Sequence, residues 1–205
     1  GHEHRRPHPA RRRGFDVTVA DSCAPPIDKP CGEGLMPDGI AALEELGISL
    51  KPQSGYPFRG IRFLSPAIAV EAKFPNGASG VGVRRPVLHR LIAEHASRMG
   101  IDFLWQTPVT GIAADGVYLG TRKVSARWII GADGGSSRVR RWSKLDAFRK
   151  RDVRYAFRQH YAVAPWTDHM EIHWGARCQG YATAVGRDQV CVALASHDPT
   201  LRLED

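Results

Sequence analysis

Apolar and polar positions alternate between two spacings along this chain, and the switches between them mark its elements. Residues 15–20 (Phe-Asp-Val-Thr-Val-Ala) form a short run rich in β-branched side chains and predict a strand, with Asp21 at its carboxyl end. Residues 37–46 predict a short helix, opened by Pro37 and closed by Gly47. Residues 58–63, 68–73 and 80–83 read as short strands of an inserted sheet, the last two joined by a turn around Pro75-Asn76-Gly77. The clearest helix covers 86–99, where Leu88, Leu91, Ile92, Ala96 and Met99 repeat at helical spacing and Gly100 ends the pattern. His95 falls on the same face and reads as a core-edge histidine. Strands are predicted again at 102–105, 109–113, 117–119 and 124–130, with Asp115-Gly116 as a hairpin turn. From Arg154 onward helical spacing disappears. Segments 155–164, 170–174, 180–185 and 189–196, broken by Pro165, Gly175 and Gly186, predict a separate antiparallel sheet.

The segment from Arg127 to Arg140 carries the first chemical signal. Trp128, Ile129 and Ile130 form an unbroken apolar run, as in a strand covered on both faces. Gly131, Gly134 and Gly135 permit a tight turn, and Ser136 or Ser137 suits the N-cap of a helix starting near Arg138. Such a turn exposes backbone N–H groups and a helix dipole where a phosphate can sit. Strands ending at Ala20 and Ile130 are therefore expected as parallel neighbours, with Asp21 and Asp133 at one carboxyl edge, where open α/β sheets bind ligands.

Composition narrows the possible functions. The chain has 205 residues, 42% hydrophobic and 24% charged, enough to bury a core. No apolar run approaches the roughly 18 residues of a membrane span, and the arginine-rich start lacks the apolar stretch of a signal peptide, so a cytoplasmic protein without stable membrane insertion is expected. Cys23, Cys31, Cys178 and Cys191 show neither zinc-ligand nor disulfide spacing and read as free thiols. The net charge of +8 suggests a polyanion partner. No recognition helix, paired aromatic strand motif or basic heptad accompanies it, so nucleic acid is not the expected partner. Residues 1–9 show neither periodicity and read as an unstructured or foreign start, and 10–13 resemble the last turn of a helix with Gly14 behind it.

Taken in order, strand-Asp21, the Asp28-Lys29-Pro30-Cys31-Gly32-Glu33-Gly34-Leu35 loop, Arg85-x-x-Leu88 opening a helix, Val109 in a short strand and Gly131-Ala132-Asp133-Gly134-x-x-Ser137-x-Val139-Arg140 resemble the para-hydroxybenzoate hydroxylase-like FAD-dependent monooxygenases. The Cys-Gly-Glu-Gly-Leu element is also similar to that of the geranylgeranyl reductase and halogenase branches. The resemblance implies an α/β fold: a Rossmann-like FAD-binding layer over residues 10–150, with inserted strands, and an antiparallel substrate sheet over 151–205. It implies that Asp21 holds the adenosine ribose, that Cys31, Gly32 and Glu33 approach the flavin, and that Arg85 reaches the middle of the cofactor. By the same resemblance Val109 offers backbone hydrogen bonds to adenine, and Asp133 and Gly134 lie near the pyrophosphate. NAD(P)H and O₂ are the implied co-substrates, and an aromatic or lipophilic small molecule the implied substrate.

Two elements of that family are not found in the 205 residues: the strand with its Gly-x-Gly-x-x-Gly turn before Asp21, and the second Gly-Asp segment beyond the substrate sheet. The chain is thus expected to be an incomplete FAD layer, an internal piece of a flavoenzyme. His160, His173 and Tyr181 lie in the expected substrate sheet, but no catalytic residue is assigned. A flavin-dependent reductase of the geranylgeranyl type, a dinucleotide-binding oxidoreductase without flavin and a basic nucleic-acid-binding module are the alternatives.

Overall fold

The computed structural model describes residues 13–147 and 153–201. In chain order its strands are β1 (Thr18–Ala20), β2 (Gly34–Leu35), β3 (Tyr56–Phe58), β4 (Gly60–Leu64), β5 (Ala69–Lys73), β6 (Gly80–Gly82), β7 (Asp102–Leu104), β8 (Val109–Ala113), β9 (Gly116–Leu119), β10 (Arg122–Ser125), β11 (Tyr155–Tyr161), β12 (Met170–Trp174), β13 (Cys178–Gly186) and β14 (Gln189–Ser196). The helices are α1 (Pro37–Glu45), α2 (Arg85–Arg98) and α3 (Arg138–Trp142). Both α1 and α2 start with proline in the first turn, where its missing N–H costs nothing. The expected helix end at 10–13 lies mostly outside the described residues; Gly14, at φ 81°, takes the left-handed backbone that such an end needs.

β1 and β7 form a two-stranded parallel sheet in the register Thr18↔Asp102, Val19↔Phe103, Ala20↔Leu104. A parallel pair needs a crossover, and α2 leads into β7 through Ile101, which is buried. The Thr107 amide donates to the Asp21 carbonyl and the Asp21 amide to Leu104, so the carboxyl ends of both strands are tied together.

The strand expected at 124–130 ends at Ser125, and this corrects the expected sheet order. β10 spends its edge on β9, antiparallel, from Arg122↔Leu119 to Ser125↔Gly116. Beyond it the apolar run pairs with no strand among the described residues: Trp128 is 70% and Ile130 86% exposed, Ile129 is half-buried, and Arg127 places its guanidinium 5.9 Å from the Trp128 ring. Apolar composition makes a segment want burial, but only an available edge makes it a strand. The parallel neighbour of β1 is therefore β7, and residues 127–136, outside any strand, share no carboxyl edge with Asp21.

The largest sheet has six strands in the order β11-β14-β13-β12-β4-β5. The strands expected in one inserted sheet divide: β5, expected across the Pro75-Asn76-Gly77 turn from β6, pairs instead with β4, while β6 pairs with β2 and β3; the β4–β5 hairpin joins strands from the far end of the chain through parallel pairing of β4 with β12, Met170↔Ile61 to His173↔Leu64. Its register sets two faces. One carries Ile61, Phe63, Ile172, Tyr181, Arg158 and His160; the other carries Arg62, Glu171, His173 and Leu194. The small β2-β6-β3 sheet rests on the first face, so closely that a Cβ at Gly82 would run into the Ala184 carbonyl. The core follows this seam, with Phe58, Val83, Met170, Val190 and Cys191 buried.

Candidate functional site

Two groups of residues are joined by the hydrogen bond from the Arg85 amide to Glu33. The first gathers at the carboxyl edge of β1 and β7. Asp21 is half-buried there; its Oδ1 accepts the Cys23 amide at 2.8 Å in an Asx turn, and its Oδ2 has no partner among the described residues. Arg85 opens α2, and one turn later His89 accepts the Ile27 amide at 3.4 Å and lies 6.1 Å from the Trp105 ring, itself stacked on Phe103 at 4.7 Å. Burial lowers the His89 pKa below its ordinary value, the Arg85 guanidinium lowers it further, and Asp21 partly opposes both. His89 is thus a neutral acceptor near neutral pH. Val109 heads β8 just beyond Thr107, which ties back to Asp21.

The second group surrounds the 28–34 loop. Gly32 packs within 3.5 Å of Tyr181 Cβ, measured from where its own Cβ would stand, and a Cβ at Gly34 would come within 2.7 Å of the Met170 sulfur. The loop lies close on the sheet, and a side chain at Gly34 would require Met170 to move. Glu33 points inward, with a fully buried side chain. Its Oε1 accepts Arg158 Nη1 and the Arg85 amide, each at 2.9 Å, and its Oε2 lies 2.6 Å from His160 Nε2. Arg158 also grips Asp28, at 2.7 and 2.9 Å, and these hydrogen bonds hold the Asp28 carboxyl below the usual carboxylate range.

The Glu33 carboxylate is thus taken up by protein hydrogen bonds on both oxygens. Glu33, His160 and Cys191 also offer metal-ligand atoms within 4.8 Å of one another. They do not make a metal centre. The 2.6 Å pair leaves no room for an ion, Arg158 occupies the other oxygen, and burial, then the Glu33 charge, pushes the Cys191 thiol strongly up, keeping it protonated.

Asp133 and Gly134 stand apart from both groups, on the turn before α3, which packs against β8. The N–H groups expected to be bare are already taken. Asp133 Oδ2 accepts the Arg138 and Val139 amides at 2.6 and 3.2 Å, Oδ1 accepts the Ser137 hydroxyl, and Ser137 Oγ accepts the Arg140 amide at 3.0 Å. These bonds, the Ser137 one foremost, lower the Asp133 pKa to about 2.

Of the residues singled out from sequence, Asp21, Arg85 and Val109 meet at one edge, Cys31, Gly32 and Glu33 line the sheet, and the Arg85–Glu33 hydrogen bond joins the two groups. His173 lies on the opposite face, 3.1 Å from the buried Glu171. Arg158 and His89 carry no sequence signal, because each gains its role from partners far along the chain; Asp28 opens the loop motif, but its pairing with Arg158 leaves no mark in the sequence.

A carboxylate with an open oxygen at a parallel-sheet edge, a cationic helix start beside it and a glycine-flattened loop on an adjoining sheet define a nucleotide-cofactor-binding α/β protein. The comparisons with known proteins agree. The chain belongs to the FAD binding domain family, whose model matches residues 11–176. It is 30% identical to menaquinone reductase of Mycobacterium tuberculosis over 96% of this chain and 53% of that protein. It is 32% identical to digeranylgeranylglycerophospholipid reductase of Methanosarcina acetivorans, over 69% of this chain and 37% of that one. Its fold matches that of a probable FAD-dependent monooxygenase from Pseudomonas aeruginosa at a TM-score of 0.71 and 20% identity, covering 90% of this chain and 55% of the other. The chain thus spans about half, or less, of the curated relatives it matches.

Proposed function

We propose that the whole protein uses FAD and NAD(P)H to act on an apolar small molecule that lies along the sheet face beside the 31–34 loop. The carrying observation is the chemistry of that face. Next to the loop it presents Ile61, Phe63, Val70, Ile172 and Tyr181, with Val70 and Trp174 more than half exposed. On the same face of β11, Arg158 and His160 are both spent on Glu33. A surface of this kind stabilises an apolar chain or ring by desolvation, and it offers no ion pair to a charged substrate.

In this reading Asp21 Oδ2 receives the ribose hydroxyls, Arg85 balances phosphate charge, and the loop after β7 brings Val109 to the adenine. Asp133, held ionised, fixes the turn that passes near the pyrophosphate rather than leaving its own amides to a phosphate. Cys31 and Gly32 hold the flavin end against the sheet. FAD, when bound, supplies hydride chemistry. The protein's own part is to bind, orient and exclude water.

The named relatives act on lipids with isoprenoid character, which supports reduction of a carbon–carbon double bond as the leading reaction. Hydroxylation is the second reading, supported by the monooxygenase-like fold. The two part on oxygen. Complete protein with FAD, NAD(P)H and an isoprenoid quinone should turn over anaerobically and give a product heavier by two hydrogens. Dependence on O₂, with oxygen incorporated in the product, would establish the second reading instead.

A further inference from the structure

We propose that Glu33 is the positioning residue of the 28–34 loop, latching it to β11 through Arg158 and His160 and to α2 through the Arg85 amide. The inference rests on the flavin reading only for what the loop serves.

Glu33 sits between two glycines yet is itself the residue in left-handed backbone, at φ 56°. That conformation suits glycine and disfavours a side chain. A carboxylate retained there, fully buried, has to be held by what surrounds it, and three donors from two distant elements hold it. The same residue's carbonyl accepts the Val83 amide at 2.8 Å, so one residue ties the loop to the end of β6, the start of α2 and the middle of β11. Arg158 extends the tie to Asp28 at the loop's entrance, and the Cys191 thiol points at the Cys31 carbonyl, 3.8 Å away. The charged and titratable groups facing the carboxylate are Arg158, His160 and Cys191, and Asp28, with Arg84 near it, shares Arg158. Arg158 is the cation that matches it. Removing the charge at Glu33 leaves Arg158 with Asp28 alone and frees the loop to lift from Tyr181 and Met170.

Cys31 is a probe built into the loop, and Cys178, on the opposite sheet face, is an internal control. In a Cys23→Ser background of the 205-residue chain, thiol labelling by an aromatic disulfide is followed site by site by mass spectrometry. E33Q should accelerate Cys31 labelling by about tenfold, the effect of losing one charge-assisted hydrogen bond, and leave Cys178 within about twofold of its starting rate. H160F, which removes the ring-nitrogen contact and keeps the carboxylate, should give a smaller rise at Cys31 alone; it decides the matter if E33Q does not fold. Unchanged Cys31 labelling, or Cys31 and Cys178 rising together, would overturn the proposal, the latter because it reports general loosening. In the complete protein the same variants should speed FAD release. A loop that opens without any change in FAD release would keep the latch and remove the flavin from the loop.

Discussion

Arg158 shows what a single side chain can decide here. It is 12% exposed and faces the fully buried Glu33 and the half-exposed Asp28. Breaking a buried pair by deleting one partner leaves an uncompensated charge, and such losses cost about 3–5 kcal/mol. R158A should therefore lower stability by roughly 3 kcal/mol in urea unfolding, the low end because His160 and the Arg85 amide still serve Glu33. His89 acts through protonation. Its folded pKa lies below the ordinary value of about 6.5, so the unfolded chain takes up the proton first and stability falls as pH drops below about 6.5. H89N should flatten that decline between pH 6.5 and 5 in thermal melts; an unaltered slope would assign the acid sensitivity to another group.

At the scale of elements, contact between backbones matters most. β6 lies so close to β13 that a methyl at Gly82 meets the Ala184 carbonyl, and backbone cannot move aside as a flexible side chain can. G82A should cost about 3 kcal/mol or abolish soluble expression, whereas G77A, facing open space, should pay only for its left-handed backbone. The short α3 depends on its cap. Asp133 and Ser137 satisfy the amides of Arg138, Val139 and Arg140, so D133N should raise amide exchange at those positions. Because the carboxyl pKa is depressed to about 2, the wild-type protection holds above about pH 4 and fades as pH falls toward 2; an exchange profile flat over that range would show that Asp133 is not the cap.

For the whole molecule the question is how much of a cofactor site these residues supply. Two helix starts near the expected cofactor path are capped from within, α2 by Glu33 and α3 by Asp133. Neither offers those amides to a pyrophosphate. Charge-assisted hydrogen bonds contribute roughly 1.5–3 kcal/mol each, so lacking two or three weakens binding by on the order of a thousandfold. The 205-residue chain should purify without yellow colour. Stoichiometric FAD on the chain alone would show that the Asp21 edge and the 31–34 loop suffice.

Sequence by itself determined α1, α2 and most strands, since proline starts, glycine ends and residue spacing act within a few residues of one another. It also determined the FAD binding family, because the motifs of Asp21, Cys31 to Gly34, Arg85 and Asp133 keep their order along the chain. Tertiary structure alone decided where apolar runs found partners. Trp128 to Ile130 looked like a central strand and stands exposed, because β1 pairs with β7 and β10 with β9. The β4–β5 hairpin looked local and completes a sheet begun a hundred residues later, since parallel pairing with β12 leaves no mark in either segment. The partners that hold the buried Glu33 side chain, Arg158 and His160, lie 125 and 127 residues away, a distance over which spacing carries no information and only folded geometry brings such groups together.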